Sequence, residues 1–68
     1  MSTLGDRIKE KRIAAGFSAD ELAKRIGKNR ATVYRYESGD VDIPVSVVGE
    51  IALALDASPA YLMGWEEE

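Results

Sequence analysis

The 68-residue chain contains no cysteine and no histidine. That removes disulfide staples, Cys/His zinc sites, a thiol nucleophile and an imidazole general base, so a hydrolase or a metal-stabilised domain has little to be built from. No catalytic residue, cofactor, metal or small-molecule substrate is expected. Proline occurs twice and aromatics make up 7% of the residues, which leaves aliphatic helix packing to hold a single small domain together. No apolar run approaches the roughly 20 residues that span a bilayer, and the N-terminus lacks an apolar signal-peptide segment. No membrane partner is expected, and the default location is the cytoplasm. The last absence is positional: no lysine or arginine follows Arg35. Residues 1–38 hold nine bases against five acids, net +4, and residues 39–68 hold seven acids and no base, net −7. The overall charge of −3 therefore hides a basic pole and an acidic one, and a polyanion responds to the local patch rather than to the total.

What is present is helical punctuation. Ser18 followed by Glu21 is the spacing of a capping box, in which a hydroxyl and a carboxylate satisfy each other's backbone amides at a helix start. Leu22, Ala23 and Ile26 make the apolar stripe of that helix, and Asp20 with Lys24 and Glu21 with Arg25 stand four apart in the favourable order. Gly27 ends it with a residue that accepts positive φ. A second helix begins at Lys28 or Asn29, turns Val33 and Tyr36 inward, and leaves Arg30, Ala31, Thr32, Tyr34 and Arg35 around the rest of its surface. Two short helices joined by a tight glycine turn, the second one exposing arginine at its N-terminal end, are what a major-groove reader needs. The planar fork of Arg30 matches the O6 and N7 acceptors of guanine, and Lys28, Asn29 and Thr32 are placed for phosphates or neighbouring bases. A helical hairpin with an ordinary wet face would share much of this pattern; the basic pole around the second helix favours the reader.

Around this unit, a first helix starts after Ser2 or Thr3, with Asp6 adding dipole-matched charge. Leu4 and Ile8 form its inward stripe, Ile13 is a further candidate, and Gly16 closes it. Phe17 occupies the staple position ahead of Ser18, with Leu22 as partner. Ser38-Gly39-Asp40 stops the reading helix, and Pro44 forces an extended Ile43 before a fourth helix. Val47, Val48, Ile51, Ala52 and Leu55 give that helix a broad core face. Ser58-Pro59 caps a short fifth helix carrying Tyr61, Leu62 and Met63 before Gly64.

From Arg7 to about Gly64 the chain resembles the Cro/CI-type helix-turn-helix domain of lambda-repressor-like proteins, the XRE family. The resemblance is carried by Asp20-Glu21-Leu22-Ala23, Ile26-Gly27, Tyr36-Glu37-Ser38-Gly39, Ile51-Ala52-Leu53-Ala54-Leu55 and Ser58-Pro59-Ala60-Tyr61-Leu62, in order and at the right spacing. The closing Leu62-Met63-Gly64-Trp65 is most similar to phage and prophage CI-type repressors. The fold implied is all-α with five helices, residues 1–65 forming the domain and 66–68 an acidic tail or the start of a linker. In such repressors a C-terminal dimerisation or self-cleaving domain usually follows, so the resemblance implies the operator-binding part of a longer transcriptional repressor. It would act in a bacterial host, on the nucleoid, as a homodimer on an inverted-repeat operator in double-stranded DNA.

Residue by residue, the resemblance places Lys28, Asn29, Arg30, Ala31, Thr32, Tyr34 and Arg35 at DNA-contacting positions. It makes Arg12 and Glu37 a buried ion pair, and makes Tyr61, Met63 and Trp65 candidates for a dimer patch. Three departures stand out. Ala19 replaces a common glutamine that meets the DNA backbone and braces the first recognition residue, so Arg30 must be held in another way. Asp40 and Asp42 replace basic loop residues, leaving backbone amides to make any phosphate contact there. Asp56 replaces a glycine or asparagine at a helix end. The competing reading is a protein-interaction module of the same fold that has lost DNA binding and docks a basic partner on its acidic half.

Overall fold

The computed structural model describes residues 3–66; Ser2 as an alternative cap, and Glu67 and Glu68 of the acidic tail, lie outside the described residues. Five helices and the turns between them account for the fold among those residues. Thr3 starts the first. Its hydroxyl accepts from the Asp6 amide at 3.1 Å and its amide donates to the Asp6 carboxylate at 3.2 Å, closing a capping box at the head of α1 (Leu4–Ala14). A second box heads α2 (Ala19–Ile26): the Glu21 amide donates to Ser18 Oγ at 3.1 Å and the Ser18 amide donates to Glu21 Oε1 at 3.0 Å.

The Ser18 amide, then its hydroxyl, hold the Glu21 carboxyl below its ordinary pKa, with Arg25 and Lys24 adding to the effect. A carboxylate whose folded pKa is depressed stabilises the fold above its unfolded value and loses that contribution as pH falls through the folded one. An NMR titration is therefore expected to place the Glu21 midpoint below the usual glutamate range, with the Ser18 amide resonance moving in step. Glu21→Gln, which keeps an acceptor oxygen without the titrating group, should abolish the linked movement.

Gly27 sits at φ 70° and caps α2 in the left-handed region, so the chain turns at once into α3 (Arg30–Ser38), as the glycine required. α4 (Val45–Leu55) follows Pro44, and α5 (Pro59–Leu62) follows the Ser58 cap, whose hydroxyl accepts from the Tyr61 amide at 3.2 Å. Asp56 ends α4 at φ 52°, the conformation for which glycine or asparagine is the usual choice.

The core gathers Ile8, Leu22, Ala23, Ile26, Val33, Tyr36, Leu62 and the whole expected face of α4, Val47, Val48, Ile51, Ala52 and Leu55. Leu4 and Phe17 pack on its edge half-buried, and the Phe17 ring also carries the Arg25 guanidinium 4.5 Å from its centroid. One expected core residue is out of place: Ile13 is 59% exposed. It lies five residues after Ile8, about 140° around a helix of 3.6 residues per turn. The inward position after Leu4 and Ile8 belongs to Arg12, which is buried.

Gly5 lets α1 approach the end of α3. A Cβ there would stand 2.4 Å from the Glu37 carbonyl oxygen and 2.6 Å from that of Tyr36, both backbone atoms that cannot swing aside. Gly5→Ala should therefore destabilise the domain by about 1–3 kcal/mol despite alanine's better helix propensity. Chemical denaturation that found the variant as stable as the parent would show that α1 and α3 are not held this close. Among the described residues, no helix is long and apolar enough to cross a membrane.

Candidate nucleic-acid interface

The exposed face of α3 is built from its cap upward. Asn29 Oδ1 accepts from the Thr32 amide at 2.9 Å and from the Thr32 hydroxyl at 3.0 Å, fixing the first turn of the helix. Thr32 is half-buried and its hydroxyl proton is committed to Asn29, so what it offers a neighbour is lone pairs. Asn29 keeps its side-chain NH2 as a donor. Val33, Tyr36 and Glu37 are buried on the inner side, while Arg30, Ala31, Tyr34 and Arg35 lie exposed, with Lys28 exposed in the turn. These residues fall on one side of a helix because their offsets of one, four and five residues repeat within a turn.

The back of α3 is locked to α1. Arg12 Nε donates to Glu37 Oε2 at 2.6 Å and Arg12 Nη2 donates to Glu37 Oε1 at 3.1 Å, a bidentate pair with both residues buried. Arg12 Nη1 donates to the Phe17 carbonyl at 2.9 Å, tying the loop ahead of α2 into the same knot. The Glu37 hydrogen bond raises the Arg12 pKa above its ordinary value, against the opposing effect of burial. One guanidinium thus connects the end of α1, the entry to α2 and the C-terminal half of α3.

Ala19 is 3% exposed. At that position the side chain belongs to the core, and at the next one Asp20 Oδ2 stands 3.6 Å from Arg30 Nη1, both side chains exposed. The sequence pairs Asp20 with Lys24 by spacing alone, and this contact across the turn is not visible in it. In the loop before α4, Asp40 and Asp42 are exposed.

The suggested dimer patch divides. Tyr61 is half-buried beside two cations, with Arg7 Cζ 4.9 Å and Lys11 Nζ 4.8 Å from its ring centroid. Its hydroxyl lies 3.4 Å from Glu10 Oε2, and its carbonyl accepts from Arg7 Nη1 at 2.9 Å. Met63 packs half-buried against the core, and Trp65 alone of the three projects outward, 76% exposed. Tyr61 thereby fastens α5 to α1, a role set by the packing of the two helices.

The profile of the helix-turn-helix family matches residues 8–62. The chain belongs to that family. Within it, the chain is 38% identical over 47 residues to a candidate HTH-type transcriptional regulatory protein of Pyrobaculum aerophilum, covering 69% of this chain and 19% of that protein. A second relative, from Methanococcoides burtonii, is 34% identical over 56 residues, covering 82% of this chain and 17% of that protein. The helix-turn-helix chain thus spans about a fifth of the length of these curated relatives. Among solved structures, the restriction-modification controller protein C.AhdI of Aeromonas hydrophila superposes with a TM-score of 0.83 at 33% identity, over 88% of this chain and 87% of that one. SinR, a master regulator of biofilm formation solved in complex with DNA, gives 0.80 at 28% identity, over 88% and 97%. The P22 c2 repressor, solved with a synthetic operator, gives 0.88 over 97% and 100% at 21% identity, a likeness of fold. This helix-turn-helix domain therefore shares the lambda-repressor-like fold, all-α with five helices among the described residues.

Proposed function

We propose that the chain binds double-stranded DNA sequence-specifically as the operator-binding domain of a transcriptional repressor, α3 entering the major groove. The observation that carries this reading is the outward face of α3: Arg30, Ala31, Tyr34 and Arg35 exposed together on a helix whose opposite side is anchored by the buried Arg12–Glu37 pair. A rigid rod with exposed donors is what reading base edges demands. The similarity to SinR, solved with DNA, and to transcriptional regulatory proteins supports it. In this reading Lys28 and Asn29 meet phosphates at the turn, and Arg30 and Arg35 meet bases or phosphates along the groove. The closing Leu62-Met63-Gly64-Trp65 favours a phage or prophage CI-type repressor, working as a homodimer on an inverted repeat with Trp65 as the outward candidate for the contact between copies. The acidic half opposes non-specific retention, so one copy binds modestly and two copies on one duplex compensate.

The test is fluorescence anisotropy with duplexes enriched by the chain from a randomised pool, followed across salt. Binding should weaken between about 50 and 200 mM salt with a log–log slope of about −0.9 per neutralised phosphate. No enrichment and no binding at the lowest salt would transfer the function to a protein partner. The acidic half would then be the docking face.

A further inference from the structure

We propose that Asp20 is a specificity-determining positioning residue: its carboxylate holds one edge of the Arg30 guanidinium and aims the other at a base. The inference rests on the DNA-reading role of α3 and deepens it. Asp20 Oδ2 and Arg30 Nη1 are 3.6 Å apart, an ion-pair distance beyond hydrogen-bond length, with both side chains more than half exposed. An exposed pair of this kind adds little to stability. Its consequence is direction.

Both ends are rigidly mounted. Asp20 sits between Ser18 and Glu21, the two members of the α2 capping box, and Arg30 is the first residue of α3, directly after its Asn29 cap. The carboxylate therefore reaches across the helix-turn-helix from one fixed turn to another. A free arginine at the N-terminus of a reading helix has two competing acceptors, phosphate oxygens and the O6/N7 pair of guanine, and many rotamers from which to choose. An acid beside Nη1 does two things. It repels a phosphate from that side of the guanidinium, and it leaves the Nη2–Nε edge, which has no partner among the described residues, for a bidentate contact. Water leaving the interface as DNA docks lowers the local dielectric and strengthens the pair where it matters. Ala19, the residue before Asp20, is buried and has no side-chain polar atom to offer Arg30.

The experiment is selection from a randomised duplex pool by four full-length chains: the parent, Arg30→Ala, Asp20→Asn and Asp20→Glu, plus the double variant Asp20→Asn/Arg30→Ala. Arg30→Ala should flatten the preference at one base pair of each half-site. Asp20→Asn should weaken the preference at that same base pair by about fivefold, part of the discrimination a bidentate arginine supplies, and leave the other positions alone. Asp20→Glu should retain most of it, and Asp20→Asn should add nothing in the Arg30→Ala background. A parent-like motif from Asp20→Asn, while Arg30→Ala flattens its base pair, overturns the proposal and leaves the DNA-reading role standing. A uniform change at every position overturns it too, since that marks a general charge effect. If the parent enriches no motif, or Arg30→Ala enriches the parent's, the reading of α3 itself falls.

Discussion

Glu37→Leu is expected to lower the unfolding free energy by about 3–5 kcal/mol, the cost of leaving a buried guanidinium without its counter-charge. A domain of this size has of the order of 3–10 kcal/mol of stability at about 0.05–0.15 kcal/mol per residue, so the substitution should remove a large share of it and move the unfolding midpoint to much lower denaturant. Arg12→Leu should act similarly, stranding the carboxylate and also the Phe17 carbonyl that Arg12 Nη1 serves at 2.9 Å. The double replacement by leucine should recover much of the loss, because removing both charges removes the desolvation problem. Urea unfolding followed by far-UV circular dichroism measures all three. Additive losses in the double variant would mean that the two residues act separately, and the bidentate geometry would have no energetic counterpart.

The sign of the Arg12 shift fixes the pH behaviour of that residue's own contribution. A cation whose folded pKa is raised contributes its stability fully below the unfolded value and loses it only as pH climbs through the folded one. For an arginine that lies beyond the range in which the domain can be studied. The arginine's share should therefore be constant across ordinary pH, in contrast to the acid-sensitive cap at Glu21.

The second large effect is on binding. Replacing Arg30 and Arg35 together by alanine should weaken binding to a selected duplex by about 2–4 kcal/mol, roughly 30- to 1,000-fold, while leaving the unfolding curve nearly unchanged. Both side chains are exposed and neither supports the core, so loss of binding cannot be charged to loss of fold. The accompanying salt slope should become shallower by about 0.9 for each of the two arginines that contacts phosphate in the complex, and stay the same for one that contacts a base. Anisotropy titrations of the single and double variants at several salt concentrations separate these roles. Undiminished affinity in the double variant would remove α3 from the interface.

How much of this was legible in the sequence follows from how local each feature is. The Ser18/Glu21 box, the Gly27 turn, the Asn29 start and the α4 face from Val47 to Leu55 are set by residues within a turn or two of each other, and each is where spacing puts it. The outward set on α3 is legible for the same reason once Val33 and Tyr36 are fixed inside. Features that depend on two helices meeting are not. Ile13 reads as core because it is apolar, yet the inward position next after Ile8 is held by a charged residue, Arg12, whose burial is made possible by Glu37 on another helix and by the Phe17 carbonyl. The resemblance to lambda-repressor-like domains, rather than periodicity, named that pair. Asp20 has Lys24 at favourable spacing, and its contact with Arg30 depends on the angle at which α2 and α3 cross. Gly5 carries no local signal either: its need for a missing Cβ comes from the backbone of Tyr36 and Glu37, more than thirty residues away. Tyr61 and Met63, expected as candidates for a contact between copies, are half-buried within the chain, Tyr61 against Arg7 and Lys11 of α1 and Met63 against the core, and neither contact has a local signal.

The central claim is that the outward face of α3 is the surface that meets DNA. Amide chemical-shift mapping of the isotope-labelled chain, titrated with a selected duplex at low salt, tests it most directly. Shifts concentrated on residues 28–35, with the Thr32 and Arg30 amides among the largest, are the predicted result. Shifts concentrated on α4, α5 and the acidic loop at Asp40 and Asp42, with residues 28–35 unmoved, would contradict it.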